Sequence, residues 1–181
     1  MDRRYFRTIL IAAGVCLLAG SAYGLRPDYL LFTDPGGRFS VEFPKEWRWT
    51  IVSGSGEPLV VFVHPRSEAA VVVERYRLRQ PMSLDENGDL FAKIETETLR
   101  ENQPKVSDVV TETTTQSGKH LVVINYLRPG INTQERVRQY SYPMDRSLYR
   151  VTCASMASQF SKYEPTCAAV IESLKAGEEL K

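Results

Sequence analysis

Phe39, Val41 and Phe43 alternate with Ser40 and Glu42 and stop at Pro44, the period-two pattern of a strand with one buried face. Trp47, Trp49 and Ile51 repeat that pattern at once, and residues 53–56 supply a Ser-Gly turn. Residues 59–63 and 69–73 are apolar at every position, which predicts strands covered on both faces. From Ser83 the period lengthens. Leu90, Phe91, Ile94 and Thr98 fall on one side of a helix reaching about Glu101, with charged residues opposite and Pro104 just beyond. A Thr-rich strand over 106–115, a turn at 116–119 and an apolar run over 121–126 read as a hairpin. Residues 136–142 and 148–154 read as a second hairpin around Pro143, Met144 and Asp145. A closing helix begins with Pro165 in its first turn, where a missing N–H costs nothing.

Consecutive strands are joined by turns too short for parallel crossovers, so the sheet is mainly antiparallel. Fully apolar strands together with two amphipathic helices predict an α+β fold, a sheet flanked by helices on both faces in a helix/sheet/helix sandwich. Residues 38–176 are expected to form one domain. Residues 25–37, with Pro27, Pro35, Gly36 and Gly37, form an irregular lead-in segment, and 177–181 a C-terminal tail.

Ahead of the lead-in, Arg3, Arg4 and Arg7 precede an uncharged stretch from Thr8 to Gly24 whose apolar part is short. That is the layout of a secretory signal peptide over 1–24, with small residues at Ala22 and Gly24 placing the cut after Gly24. A retained N-terminal membrane anchor is the alternative. Lipid attachment at Cys16 is disfavoured by Val15, which stands where a small residue is needed. Cleavage would remove Arg3, Arg4, Arg7 and Asp2, taking 23 basic and 22 acidic side chains to 20 and 21. A chain so close to neutral lacks the basic excess that drives non-specific nucleic-acid binding, so nucleic acid is not an expected partner. Cys153 and Cys167 then remain, an even count suited to an oxidising compartment. Cys153 falls on the same strand face as Tyr149 and Val151, and Cys167 on the helix stripe of Val170, Ile171 and Leu174. Both therefore point into one layer, and a disulfide is expected; two buried free thiols are the alternative.

No constellation of catalytic groups stands out, and no cofactor is expected. His64 and His120 have no Cys, Asp or Glu at ligand spacing and read as locally satisfied strand-end residues rather than zinc ligands. Residues 85–89 place oxygen ligands around Gly88, but that glycine is fourth rather than sixth and Thr96 stands where the bidentate Glu of a calcium loop belongs. Gly54-Ser55-Gly56 is one residue short of a nucleophile elbow and lies between strands. Charge geometry is more suggestive. Arg75, Arg77 and Arg79 occupy alternate positions of one strand, and Arg136 and Arg138 do so on another. Were those strands neighbours, they would form a guanidinium patch suited to carboxylates or phosphates of an acidic protein surface or lipid head groups. Pairing with Glu74, Glu112 and Glu135 on a solvated face is the plain alternative.

The phrase Gly37-Arg38-Phe39-Ser40-Val41-Glu42-Phe43-Pro44-Lys45-Glu46-Trp47 resembles the start of PsbP-like domains, the extrinsic luminal proteins of photosystem II and their exported bacterial relatives. The strand 148–154 and the helix ending Ile171-Glu172-Ser173-Leu174 resemble the close of that domain, so the resemblance spans residues 38–174. It implies an exported, non-catalytic accessory protein of the periplasm or thylakoid lumen, peripheral to a membrane or N-terminally anchored. Such a protein would bind or stabilise a protein partner or membrane complex such as a photosystem. No metal-binding or partner-contacting residue of the photosynthetic members matches a position here. The competing expectation is a carrier of a small apolar ligand, in a pocket between sheet and helix lined by Trp47, Trp49 and Phe62.

Overall fold

The computed structural model describes residues 28–53, 57–130 and 133–180. The expected signal peptide and the 54–56 turn lie outside them. Within the described residues the order is β1 (Tyr29–Thr33), β2 (Phe39–Pro44), β3 (Arg48–Val52), β4 (Leu59–Val63), β5 (Ala70–Arg77), α1 (Leu84–Asn102), β6 (Ser107–Gln116), β7 (Lys119–Pro129), β8 (Gln134–Met144), β9 (Ser147–Met156), α2 (Phe160–Ser173) and β10 (Lys175–Ala176). Seven strands form one antiparallel sheet in the order β3-β4-β5-β9-β8-β7-β6, and β1-β2-β10 form a second. The α+β sandwich of the sequence reading holds, with a small second sheet added to one layer.

β1 corrects the reading of 25–37 as irregular. Tyr29–Thr33 pairs with residues 40–44 of β2, and Phe32 is buried against Phe39 and Phe62, so the described part of the lead-in, 28–37, belongs to the domain. The two-residue loop between β6 and β7 explains itself: Ser117 and Gly118 both have positive φ, the geometry that matches the twist of paired strands.

Residue alternation assigns the two faces of the large sheet. Val60, Phe62, Val71, Val73, Val151 and Cys153 face α2 and the small sheet in the larger core cluster. Val122, Ile124, Tyr126, Val137 and Leu148 face α1 in the smaller one, with Leu84, Phe91 and Leu99 of the helix. α1 lies over β6 and β7, where Gly88 permits close approach: a Cβ there would stand 3.3 Å from the Thr113 methyl group. It leaves β3, β4 and β5 bare on that side. Val63 is exposed and Val61 and Val72 only half-buried, so the expectation of cover on both faces fails for β4 and β5.

The helices also depart from the sequence reading in facing and extent. The inward stripe of α1 is Leu84, Gly88, Phe91, Glu95 and Leu99, while Leu90 and Ile94 are exposed. The helix is thus rotated so that a carboxylate takes the place an apolar side chain was expected to fill. α2 begins at Phe160, not Pro165; the proline lies inside it and withholds one bond from the carbonyl four residues earlier. Ser83 caps α1, its Oγ accepting from the Asp85 amide at 3.3 Å, so the acidic run at 85–89 is a helix entry.

Candidate functional site

The arginines singled out by their spacing share one face of the large sheet but not one patch. Arg75 and Arg77 stand opposite Tyr149 and Ser147 of β9, whereas Arg138 and Arg136 stand opposite Cys153 and Ser155. β9 runs between β5 and β8, so the neighbouring strands that a single patch requires do not exist. The two pairs are separated by about 13 to about 26 Å along β9, at about 3.3 Å per residue.

Each pair meets different chemistry. The Arg138 Nε donates to Asn125 Oδ1 at 2.7 Å, its guanidinium pairs with Glu164, and it lies 5.9 Å from the Phe160 ring centroid. Arg138 is therefore a matched packing group, and Arg136 beside it is exposed. At the opposite end the guanidinium groups crowd together. The Arg77 Nε donates to Glu57 at 2.8 Å; Arg75 reaches the same carboxylate at 3.4 Å and donates from Nε to Ser147 Oγ at 3.1 Å. Arg38, which spacing did not reveal, approaches Glu57 at 3.9 Å. Its main anchor is Asp34, whose Oδ2 accepts from the Arg38 Nε at 2.7 Å and from the Gly36 amide at 2.9 Å. Burial pushes the Asp34 carboxyl upward, and the bonds from Arg38 and the backbone N–H groups outweigh it, leaving the carboxyl below its ordinary value of 3.8. Arg79 lies just beyond β5, and the Leu78 amide donates to the Arg146 carbonyl at 2.8 Å, bringing the exposed Arg79 and Arg146 alongside. Arg38, Arg75, Arg77, Arg79 and Arg146 thus share one end of the molecule with the carboxylates of Asp34, Glu57 and Asp145. Among the described side chains there, five guanidinium groups stand against three carboxylates.

The second polar site was invisible in the sequence. Glu95 of α1 is buried; its carboxylate accepts from Arg150 at 2.8 and 3.0 Å, from Ser141 Oγ at 2.8 Å and from Gln139 Nε2 at 3.4 Å. Arg150 also lies 4.8 Å from the Tyr76 ring centroid and donates to the Tyr76 hydroxyl at 3.3 Å, while its buried Nε has no partner. Burial pulls the Arg150 guanidinium down, and the Glu95 carboxylate more than offsets it. This network joins α1 to β8 and β9 and has the character of a structural clamp.

The remaining candidates resolve into local packing. Cys153 and Cys167, expected to be bridged, are two free thiols, both buried and close enough to interact. Burial, and then the Cys167 contact, push the Cys153 thiol up. Trp47, Trp49 and Phe62 do not line a pocket. Phe32 and Phe43 pack on Phe62 at 5.5 and 4.7 Å between centroids, Trp47 is buried against His64 and Tyr163, and Trp49 is half-exposed over Phe32. The space an apolar ligand would need is filled by these rings. The His64 Nδ1 accepts from the Arg66 amide at 3.2 Å, and the His120 Nδ1 lies 3.4 Å from Asp85 and 3.3 Å from the Thr115 hydroxyl. Among the described residues no group of three His, Cys, Asp or Glu side chains is placed to hold a metal ion, and no helix is long and apolar enough to cross a membrane.

No protein-family model matches the sequence, and no functionally curated protein matches it. Solved structures do match its shape. The cyanobacterial PsbP of Synechocystis, CyanoP, is similar over 89% of this chain and 99% of its own, with a TM-score of 0.63 and 13% identity. The Ran-binding protein Mog1p of Saccharomyces cerevisiae is similar over 82% of this chain and 95% of its own, at a TM-score of 0.55 and 11% identity. A Bacteroides thetaiotaomicron protein matches 85% of the chain at a TM-score of 0.59 and 12% identity; this chain spans 50% of that protein's length. The fold is PsbP-like.

Proposed function

We propose that this PsbP-like domain is a non-catalytic accessory protein that docks an acidic surface of a partner through its basic end, chiefly Arg77, Arg79 and Arg146, with Arg75 behind them. The observation that carries the reading is the gathering of five guanidinium groups from β5, the β1–β2 turn and the β8–β9 turn, with exposed Arg77 leading outward at 78% side-chain exposure. Planar guanidinium groups bind carboxylates with paired N–H donors, and exposed charge of one sign speeds and orients encounter with the opposite sign. The lack of an acid, base and nucleophile constellation supports a binding role. So does the company of the fold, which includes a Ran-binding protein. Export to the periplasm or thylakoid lumen, with cleavage after Gly24 or retention as an anchor, is part of the same reading and rests on the N-terminal sequence.

The test is affinity purification of the tagged protein from membranes of its native host after mild cross-linking, run beside Arg77→Glu/Arg79→Glu and Arg136→Glu variants. Recovery of one complex that is lost in the first variant and kept in the second is expected. Equal recovery with all three proteins would refute docking at this end.

A further inference from the structure

The basic end already holds a carboxylate. Glu57 receives N–H groups from Arg75 and Arg77 and stands within 3.9 Å of Arg38, so three guanidinium groups converge on one side chain. Arg38 is satisfied elsewhere by Asp34, which leaves Arg75 and Arg77 to share Glu57. The sharing is unequal and incomplete. Arg77 contributes Nε at 2.8 Å and Arg75 a terminal nitrogen at 3.4 Å, near the limit of a hydrogen bond. A guanidinium carries five N–H donors, and a carboxylate that engages two guanidinium groups through single bonds leaves the paired geometry of each unused. Glu57 is reachable from solvent at 25% side-chain exposure, just ahead of β4. Its bond to Arg77 is to a side chain 78% exposed and its contact with Arg75 is long at 3.4 Å, so exchange of Glu57 for another carboxylate is undemanding.

We propose that Glu57 is an internal stand-in for the partner's carboxylate, and that docking exchanges Glu57 for Asp or Glu side chains of an acidic peptide segment presented in paired geometry to Arg77 and Arg75. The proposal rests on the docking reading above and adds the chemistry of what is bound. Glu57 keeps the basic end from adhering to isolated anions. A segment with two or more neighbouring carboxylates outcompetes it because it engages both guanidinium groups, and the exposed Arg79 and Arg146, at once. Affinity is thereby tuned towards clustered acidic residues and away from single ones.

The experiment measures fluorescence anisotropy of a labelled deca-glutamate peptide, and of the same peptide in glutamine, against full-length wild type, Glu57→Gln, Glu101→Gln and Arg77→Glu at one fixed ionic strength. Glu101 is exposed at the end of α1, so Glu101→Gln makes the same change in net charge away from the basic end. Thermal melting of each variant confirms folding. Glu57→Gln is expected to bind the acidic peptide about threefold to fivefold more tightly than Glu101→Gln, the range of one exposed ion pair. Arg77→Glu should lose binding, and the glutamine peptide should not bind any of them. If Glu57→Gln matches Glu101→Gln while Arg77→Glu still loses binding, the exchange is overturned and docking at this end survives. Binding that ignores Arg77→Glu, or no binding of the acidic peptide by any variant, overturns both.

Discussion

Replacing Glu95 with Ala removes the acidic half of a buried ion pair and leaves Arg150 with the Tyr76 hydroxyl and ring and, opposite it on β5, Glu74. The side chains of Arg150 and Glu95 are 19% and 7% exposed, so neither charge is well solvated. Breaking such a pair from one side costs about 3–5 kcal/mol, because a buried charge is left uncompensated. A domain of this size loses about 2–4 °C of melting temperature per kcal/mol, which puts the Glu95→Ala midpoint about 6–20 °C below wild type. Arg150→Met is expected to be milder, since Ser141 and Gln139 still donate to Glu95. The double variant Glu95→Leu/Arg150→Met removes both charges and should recover most of the loss, because well-packed apolar replacements of buried pairs are often neutral or stabilising. The assay is urea unfolding by circular dichroism of wild type, Glu95→Leu, Arg150→Met and their double variant, read as a double-mutant cycle, with Glu95→Ala run beside them. Single losses below about 1 kcal/mol, or losses that simply add in the double variant, would refute the clamp.

Asp34 supplies a pH signature. Its folded-state pKa is depressed below the ordinary 3.8, so its contribution to stability is present above that value and is lost as pH falls through the depressed one. Asp34→Asn should therefore cost about 1.5–3 kcal/mol at neutral pH, and the gap to wild type in urea midpoint should close in acid; a gap constant from neutral pH to below pH 3 would contradict the assignment. Cys153 and Cys167 are expected to close to a disulfide when the unfolded, reduced chain is refolded with oxidised glutathione, which takes up their hydrogens as two reduced glutathione molecules. Thiol titration of the unfolded chain should then find neither cysteine free, and continued titration of both would show that their geometry does not allow the bond.

Much of this architecture was legible because its strands alternate cleanly. Phe39, Val41 and Phe43 announce β2, and the Thr-rich run and its Ser-Gly turn announce the β6–β7 hairpin. What alternation cannot carry is strand order. It correctly put Arg75 with Arg77 and Arg136 with Arg138, yet the strand between the two pairs comes last in the sheet's sequence. Hydrophobic periodicity likewise assigns every charged residue of α1 to solvent. Glu95 breaks that rule because its partner Arg150 lies 55 residues away, and burial of either is explicable only with the other. The sole local signal was the spacing of Gly88, Phe91, Glu95 and Leu99, which fits one helical face as well as the Leu90 and Ile94 stripe does. At the basic end, β5 revealed Arg75 and Arg77, but Arg38, Glu57 and Arg146 come from three separate turns and have no common period.

The central place of β9 governs how the chain can acquire its fold. β3-β4-β5 and β6-β7-β8 are each meanders of sequence neighbours that form by local closure, and β9 is the only strand that touches both. Until residues 147–156 are available, β5 and β8 each present a bare row of N–H and C=O groups to whatever strand is nearby. A chain interrupted before Ser147 is thus two sticky half-sheets rather than a smaller version of the domain, and cooperative assembly waits on β9, the strand that joins them.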